Sequence, residues 1–187
     1  MDMVNNNSHA KYDVINSNSN IKKMVYSSLF AALTSIGAYI TVPLGPIPFT
    51  LQMVFVLMAG AMLGSKWGGI SMIVYVLLGI AGLPVFSNGG SGLGVILGPT
   101  GGYLIGFIAA AFIIGYLFEM NGSNNLLKNG LFVTIGSVVI FCFGLAHLMI
   151  VADMSFMQAV TVGFLPFILP GIVKIAVATG IATKYKI

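Results

Sequence analysis

Long apolar runs, separated by short polar or proline- and glycine-rich interruptions, organise this chain. From Met24 to Ser65 no residue is charged, and the middle of that interval holds VPLGPIP, residues 42–48, whose three prolines and one glycine stop one helix and start another. This predicts two membrane spans, at about 24–42 and 49–64. Lys66 and Glu119 bracket a second uncharged interval, which the glycine-rich run LPVFSNGGSGLGVILGPTGGYLIGF, Leu83 to Phe107, divides into spans at about 67–83 and 99–118. A fifth span, about 130–151, lies between Lys128 and Asp153. The last apolar segment, about 155–183, is too long for one straight crossing of about 20 residues and contains Pro166 and Pro170. It is read as an external short helix or loop at 155–169 followed by a sixth span at 170–184.

Composition turns these runs into a membrane protein. Of the 187 residues 58% are hydrophobic and 6% charged, whereas about a quarter of a soluble domain is charged. The expected fold is an all-α integral membrane protein of six transmembrane helices. All eight basic residues are lysines, and they orient the bundle. With the N-terminus in the cytoplasm, Lys22, Lys23, Lys66, Lys128, Lys184 and Lys186 all fall on the cytoplasmic side, and the external connections hold no lysine. Both termini are then cytoplasmic. Asp153 is the one charge expected outside, and Lys174 the one expected within a span. Residues 1–23 are polar and asparagine-rich, with no apolar h-region or cleavage site, and are expected to form an unstructured cytoplasmic tail that includes His9. Residues 24–187 make a single six-helix membrane domain with a glycine-rich external loop at 84–98.

Enzyme chemistry finds little material here. The chain has four carboxylates, two histidines and one cysteine. No carboxylate or cysteine stands at ligand spacing from His147, so no metal site is expected, and the imidazole is better read as bonded to a neighbouring helix. Cys142, inside an apolar span, is read as packing. Gly92-Leu93-Gly94 leads into Val95, Ile96 and Leu97, there is no Gly-Lys-Ser/Thr, and no basic residue occurs between Lys66 and Lys128, which removes a phosphate cradle. Neither ATP hydrolysis nor any cofactor is expected, and transport, substrate capture or membrane assembly remain.

Lys174 is the informative charge. Proline followed by glycine in FLPFILPGIVK predicts a helix that starts at about Pro170 or Gly171, with Lys174 in its first turn or so, near the external face. An ammonium group and the free N–H groups of a helix start together suit an anion. An ionised lysine in a span costs about 2.5–3.5 kcal/mol on insertion scales, less near the interface, which favours a functional role over snorkelling. Thr50 and Gln52 open the second span, and Phe86, Ser87 and Asn88 follow the third. With Tyr103 they suit a small molecule that has an apolar body, a few hydrogen-bonding atoms and a carboxylate.

PIPFTLQ, then GLPVFSNGGSGLGVILGPTGGYLIGF, then PFILPGIVK, spread from about Tyr26 to the C-terminus, resemble the BioY family, the biotin-specific substrate-capture (S) components of energy-coupling factor vitamin transporters. The resemblance implies a six-helix protein in the cell membrane of a prokaryote that holds biotin near the external face. Its partners would be a transmembrane coupling protein and two cytoplasmic ATPases, besides the lipid bilayer; nucleic acid has no part. It makes Lys174 a biotin contact near the polar end of the pocket, with Asn88 and Tyr103 as further lining; Gln52, Phe86 and Thr50 join them by position. In similar proteins an aspartate directly after Pro-Gly is expected, with the lysine three residues beyond it; here Gly171 is followed by Ile172 and Val173. S components dock through an alanine-x-x-x-alanine face on their first helix, for which Ser27, Ala31 and Ser35 are the candidates, with Ser28 and Ala32 on the adjoining row. Gly60, Gly64, Gly68 and Gly69 are small residues of the same kind, and packing within the bundle is the alternative for both sets. An S component for another small carboxylated vitamin, and a membrane assembly or receptor protein that binds no vitamin, stay open.

Overall fold

A computed structural model describes residues 2–42, 47–121 and 125–185, with side chains from residue 20 onward. Helix α1, Asp2–Tyr39, runs through the asparagine-rich segment as well as the first span, in place of the unstructured tail expected there. After Tyr39 come two short antiparallel strands, β1 (Thr41–Val42) and β2 (Phe49–Thr50), with Thr41 opposite Thr50 and Val42 opposite Phe49. Residues 43–46, which hold much of the proline-glycine stretch, lie outside the described residues.

Helix α2, Gln52–Ile80, reverses direction at Gly64, where φ is 82° and ψ is −179°. Two observations establish the reversal. Gln52 Nε2 donates to Tyr75 Oη at 3.0 Å, although residues so far apart in a straight helix would be separated by about 35 Å. A Cβ added to Gly68 would stand 2.9 Å from the Ala59 carbonyl oxygen. The two arms, 52–63 and 65–80, are therefore the predicted second and third spans, joined by a turn of one glycine. Glu119 completes the turn: its carboxylate accepts from Ser65 N at 2.8 Å and Ser65 Oγ at 2.7 Å, which satisfies the start of the second arm.

The glycine-rich segment then forms a 3-10 turn at Ser87–Gly89 and a short helix α3, Leu93–Ile96. Helices α4 (Gly101–Asn121) and α5 (Leu126–Val151) follow, the latter capped by Asn125, whose side chain accepts from Leu127 N and Lys128 N. A capping box of Ser155 and Gln158 starts α6, Phe156–Gly163, and a 3-10 turn at Leu165–Phe167 leads into α7, Ile168–Lys184. Of the two alternatives for 155–169, short helix or loop, the helix is the one present. Helix α7 starts two residues before Pro170, which is tolerated because the first-turn N–H groups have no partner within the helix. Lys174 consequently stands in the second turn of α7 rather than the first.

The six spans are α1, the two arms of α2, α4, α5 and α7, a multi-pass helical membrane protein. Small residues set how closely they pack. Cβ atoms would clash with the Ala111 carbonyl oxygen at Gly60 (2.6 Å) and with Ser65 N at Gly115 (2.2 Å), so the backbones of α2 and α4 touch. Tyr75, Leu57, Met72, Ile114, Ile140 and Leu148 fill the interior. Leu77, Phe112, Val138, Ile150 and Val173 point outward, as expected where the solvent is hydrocarbon. Cys142 lies on that outer surface and not in interior packing. The antiparallel order brings Lys22, Lys23, Lys66, Lys128 and Lys184 to the end of the bundle that holds the Gly64 turn, and leaves the β strands and the glycine-rich segment at the other.

Candidate ligand-binding site

A cavity opens at the end of the bundle opposite the Gly64 turn. Its free space, mouth and adjoining open solvent included, is about 660 Å³. Strand β2 and the start of α2 supply Thr50 and Gln52, the glycine-rich segment supplies Phe86 and Ser87, α4 supplies Tyr103, and α7 supplies Gly171 and Lys174. Lys174, Tyr103, Gln52, Phe86 and Thr50, scattered over 125 positions (50–174) of sequence, thus meet in one place.

Lys174 is 7% exposed. Its Nζ lies 4.0 Å from the centroid of the Phe49 ring, a cation–π contact, and no carboxylate among the described residues pairs with it. Helix α7 keeps the ammonium inward without the aspartate that similar proteins lead one to expect. Gly171, Lys174, Ala178 and Ala182 are buried at steps of three and four, while Ile172 and Val173 are 59% and 61% exposed on the outer face. The cavity therefore carries a positive charge with no counter-charge supplied by the described residues.

Gln52 is 4% exposed and lines the cavity. Its Nε2 donates to Tyr75 Oη at 3.0 Å, and Tyr75 Oη donates to the Val85 carbonyl at 3.1 Å. Phe86 is fully buried, edge-on to Tyr75 with ring centroids 5.6 Å apart. Gly79 makes room for it, since a Cβ there would stand 2.0 Å from Phe86 Cζ. Backbone bonds hold the segment in place: Phe86 N donates to Gly90 O at 3.1 Å and Gly92 N to Gly79 O at 2.7 Å. Tyr103 gives its hydroxyl proton to the Gly163 carbonyl at 2.9 Å, so it offers the cavity mainly its ring, which packs edge-on against Phe141.

Asn88 does not join this group. It is exposed, outside the lining, with φ of 57° and ψ of 27° in the 3-10 turn, a left-handed conformation that asparagine tolerates better than most residues. Its neighbour Ser87 lines the cavity instead. His147 Nε2 lies 3.1 Å from the Gly98 carbonyl oxygen, so the imidazole ties α5 to the segment before α4 rather than to another span. The proposed docking row is also placed differently. Ser27 Oγ donates to the Trp67 carbonyl at 3.0 Å, Ser71 Oγ donates to the Ser27 carbonyl at 2.7 Å, and Ala31 is 2% exposed, so these residues pack α1 on the second arm of α2. Ser35 is half-buried, and Ser28 and Ala32 are the small residues that face outward.

Among the contributors that the sequence does not single out are Phe141, Phe167, Tyr75 and Phe49. Phe141 and Phe167 wall the cavity but sit in apolar runs where nothing marks them. Tyr75 acts from behind Gln52, and Phe49 covers the ammonium from the strand beside Thr50. Phe49 was discoverable, because it stands within PIPFTLQ.

The sequence profile of the BioY family matches residues 8–187. A "Biotin transporter BioY" from Thermotoga maritima is 42% identical over 168 residues, covering 89% of this chain and 96% of that protein. A "Probable biotin transporter BioY" from Pyrococcus horikoshii is 42% identical over 163 residues, covering 87% of this chain and 95% of that protein. The crystal structure of an S-component for biotin from an ECF-type ABC transporter superposes with a TM-score of 0.83 at 28% identity, over 89% of this chain and 92% of that one. Relatives matched along nearly their whole length, and a solved neighbour with the same helical bundle, make this chain a member of the BioY family.

Proposed function

We propose that the protein captures biotin as the S component of an energy-coupling factor transporter. The observation that carries this reading is the cavity's pairing of a buried ammonium that has no carboxylate partner among the described residues with an oriented amide and aromatic walls. Lys174 holds the ligand carboxylate, Gln52 and Thr50 serve the ureido group, and Phe86 and Tyr103 cover the apolar bicycle. Asn88 shapes the turn beside Ser87 and is left out of the contact set. Members of the family are transporters, so no reaction on the ligand is invoked.

The lysine-rich end of the bundle faces the cytoplasm and the cavity faces outward, in the cell membrane of a prokaryote. Energy comes from partners: a transmembrane coupling protein and two cytoplasmic ATPases, whose ATP hydrolysis tips the bundle so that the cavity opens inward. On α1 the surface open to the coupling protein is the row of Ser28 and Ala32, with Ser35 at its edge, because Ser27 and Ala31 are covered.

Binding of labelled biotin to the protein purified in detergent tests the ligand. Saturable binding supports the reading. Binding of a different carboxylated vitamin with biotin ignored would overturn it, and copurification with the ATPase subunits separates a transporter component from a membrane assembly protein.

A further inference from the structure

We propose that Tyr75, a residue that does not line the cavity, fixes its hydrogen-bonding polarity: it turns the Gln52 amide so that the ligand meets an acceptor and must bring an N–H donor. This rests on the cavity being the biotin site and names which atoms of that ligand it selects.

The direction of the relay follows from what each group is able to do. The Val85 carbonyl only accepts, so the single Tyr75 hydroxyl proton points to it across 3.1 Å. The Tyr75 oxygen is then left to accept, and its other neighbour, Gln52 at 3.0 Å, has to present the –NH₂ edge of its amide. The opposite edge, Oε1, accepts no hydrogen bond from the described residues, and Gln52 lines the cavity. An amide that would otherwise be free to flip is locked with its acceptor toward the ligand. A cyclic urea supplies the matching N–H, whereas a ring that offers only oxygen or sulfur lone pairs leaves the acceptor unpaired.

Tyr75 also sets the mouth. The same hydroxyl anchors the backbone just before Phe86, and the Tyr75 ring supports the Phe86 ring edge-on at 5.6 Å. Tyr75 itself is fully buried, so neither partner is exchanged for water. It is a positioning residue: it acts on ligand only through Gln52 and Phe86.

The experiment is a double-mutant cycle on biotin affinity in detergent with Tyr75→Phe, Gln52→Leu and the pair, each repeated with biotin methylated on its ureido nitrogens. Each single variant is expected to lose about 3- to 10-fold in biotin affinity, and the pair less than the product of the two single losses, because the Gln52 part of the effect is shared while the support of Phe86 is separate. The preference of the unmutated protein for biotin over the methylated form should shrink equally in both single variants. A merely structural Tyr75 would weaken both ligands alike and leave that preference intact, which would overturn the proposal, as would additive losses in the pair. Should a variant not fold, the unmutated protein decides alone: equal affinity for biotin and its methylated form excludes an acceptor-lined site. No binding of biotin at all by the unmutated protein would remove the functional reading beneath it.

Discussion

Replacing Lys174 by methionine isolates the charge that defines the cavity. The side chain is 7% exposed and held over the Phe49 ring at 4.0 Å, so methionine, of similar length and apolar, fills the same space against the same ring. What is lost is a hydrogen bond to a charged group, about 1.5–3 kcal/mol, or roughly 10- to 150-fold in affinity for a carboxylated ligand. The unliganded protein gains, because an ammonium without a counter-charge no longer has to be kept out of water. The expected result is therefore weaker binding together with equal or higher thermal stability of the empty protein. Equilibrium binding of labelled biotin and of a biotin amide, which keeps every atom but the charge-bearing oxygen, reads the first quantity. Scanning fluorimetry in detergent reads the second. The unmutated protein should prefer biotin to the amide, and Lys174→Met should bind the two alike. An undiminished preference in the variant, or equal weakening of both ligands, would refute the assignment of Lys174 to the carboxylate.

Three further outcomes follow from the geometry. Gly79→Ala puts a methyl group 2.0 Å from Phe86 Cζ and should displace that ring from the cavity wall, with at least a tenfold loss of biotin affinity by titration. Tyr103→Phe removes only the bond to Gly163 at 2.9 Å, so it should lower stability by about 1 kcal/mol while binding stays within about twofold. Glu119→Ala, at the far end of the bundle, strips the cap from Ser65 and should cost about 0.5–2 kcal/mol in detergent unfolding with biotin affinity unchanged.

The number and order of the spans were legible because charge is so sparse that, from Lys22 on, every lysine or carboxylate except Lys174 lies at or beyond a span edge. Predicted boundaries at 130–151 and 170–184 sit close to α5 (Leu126–Val151) and α7 (Ile168–Lys184) for that reason. Residues whose chemistry differs from their surroundings were legible too, which is how Lys174, Gln52, Thr50 and Tyr103 came to be grouped. What the sequence hid was rotation and reach. The row of Ser27 and Ala31 has the spacing of a docking face, and spacing alone does not say whether the neighbour is another protein or the second arm of α2. Asn88 is a candidate by its amide and by the family resemblance, and the sequence does not say that it sits exposed in a left-handed turn outside the cavity lining. Tyr75 was invisible because its effect passes through Gln52, and a relay of two hydrogen bonds leaves no mark in a linear pattern.

The one-glycine turn at Gly64 has a consequence for depth. The first arm of α2, residues 52–63, is about 18 Å long, whereas the hydrocarbon core of a bilayer is about 30 Å thick. With Lys66 and Glu119 anchoring the turn at one surface, Gln52 stops about 12 Å short of the other. Paired strands and the glycine-rich segment, whose backbone groups bond in part to one another, occupy the remainder. In the transport cycle proposed above, a molecule held at Gln52 would already have descended through more than a third of the apolar layer before any energy is spent on it, and the stroke needed to deliver it would be shortened by the same distance.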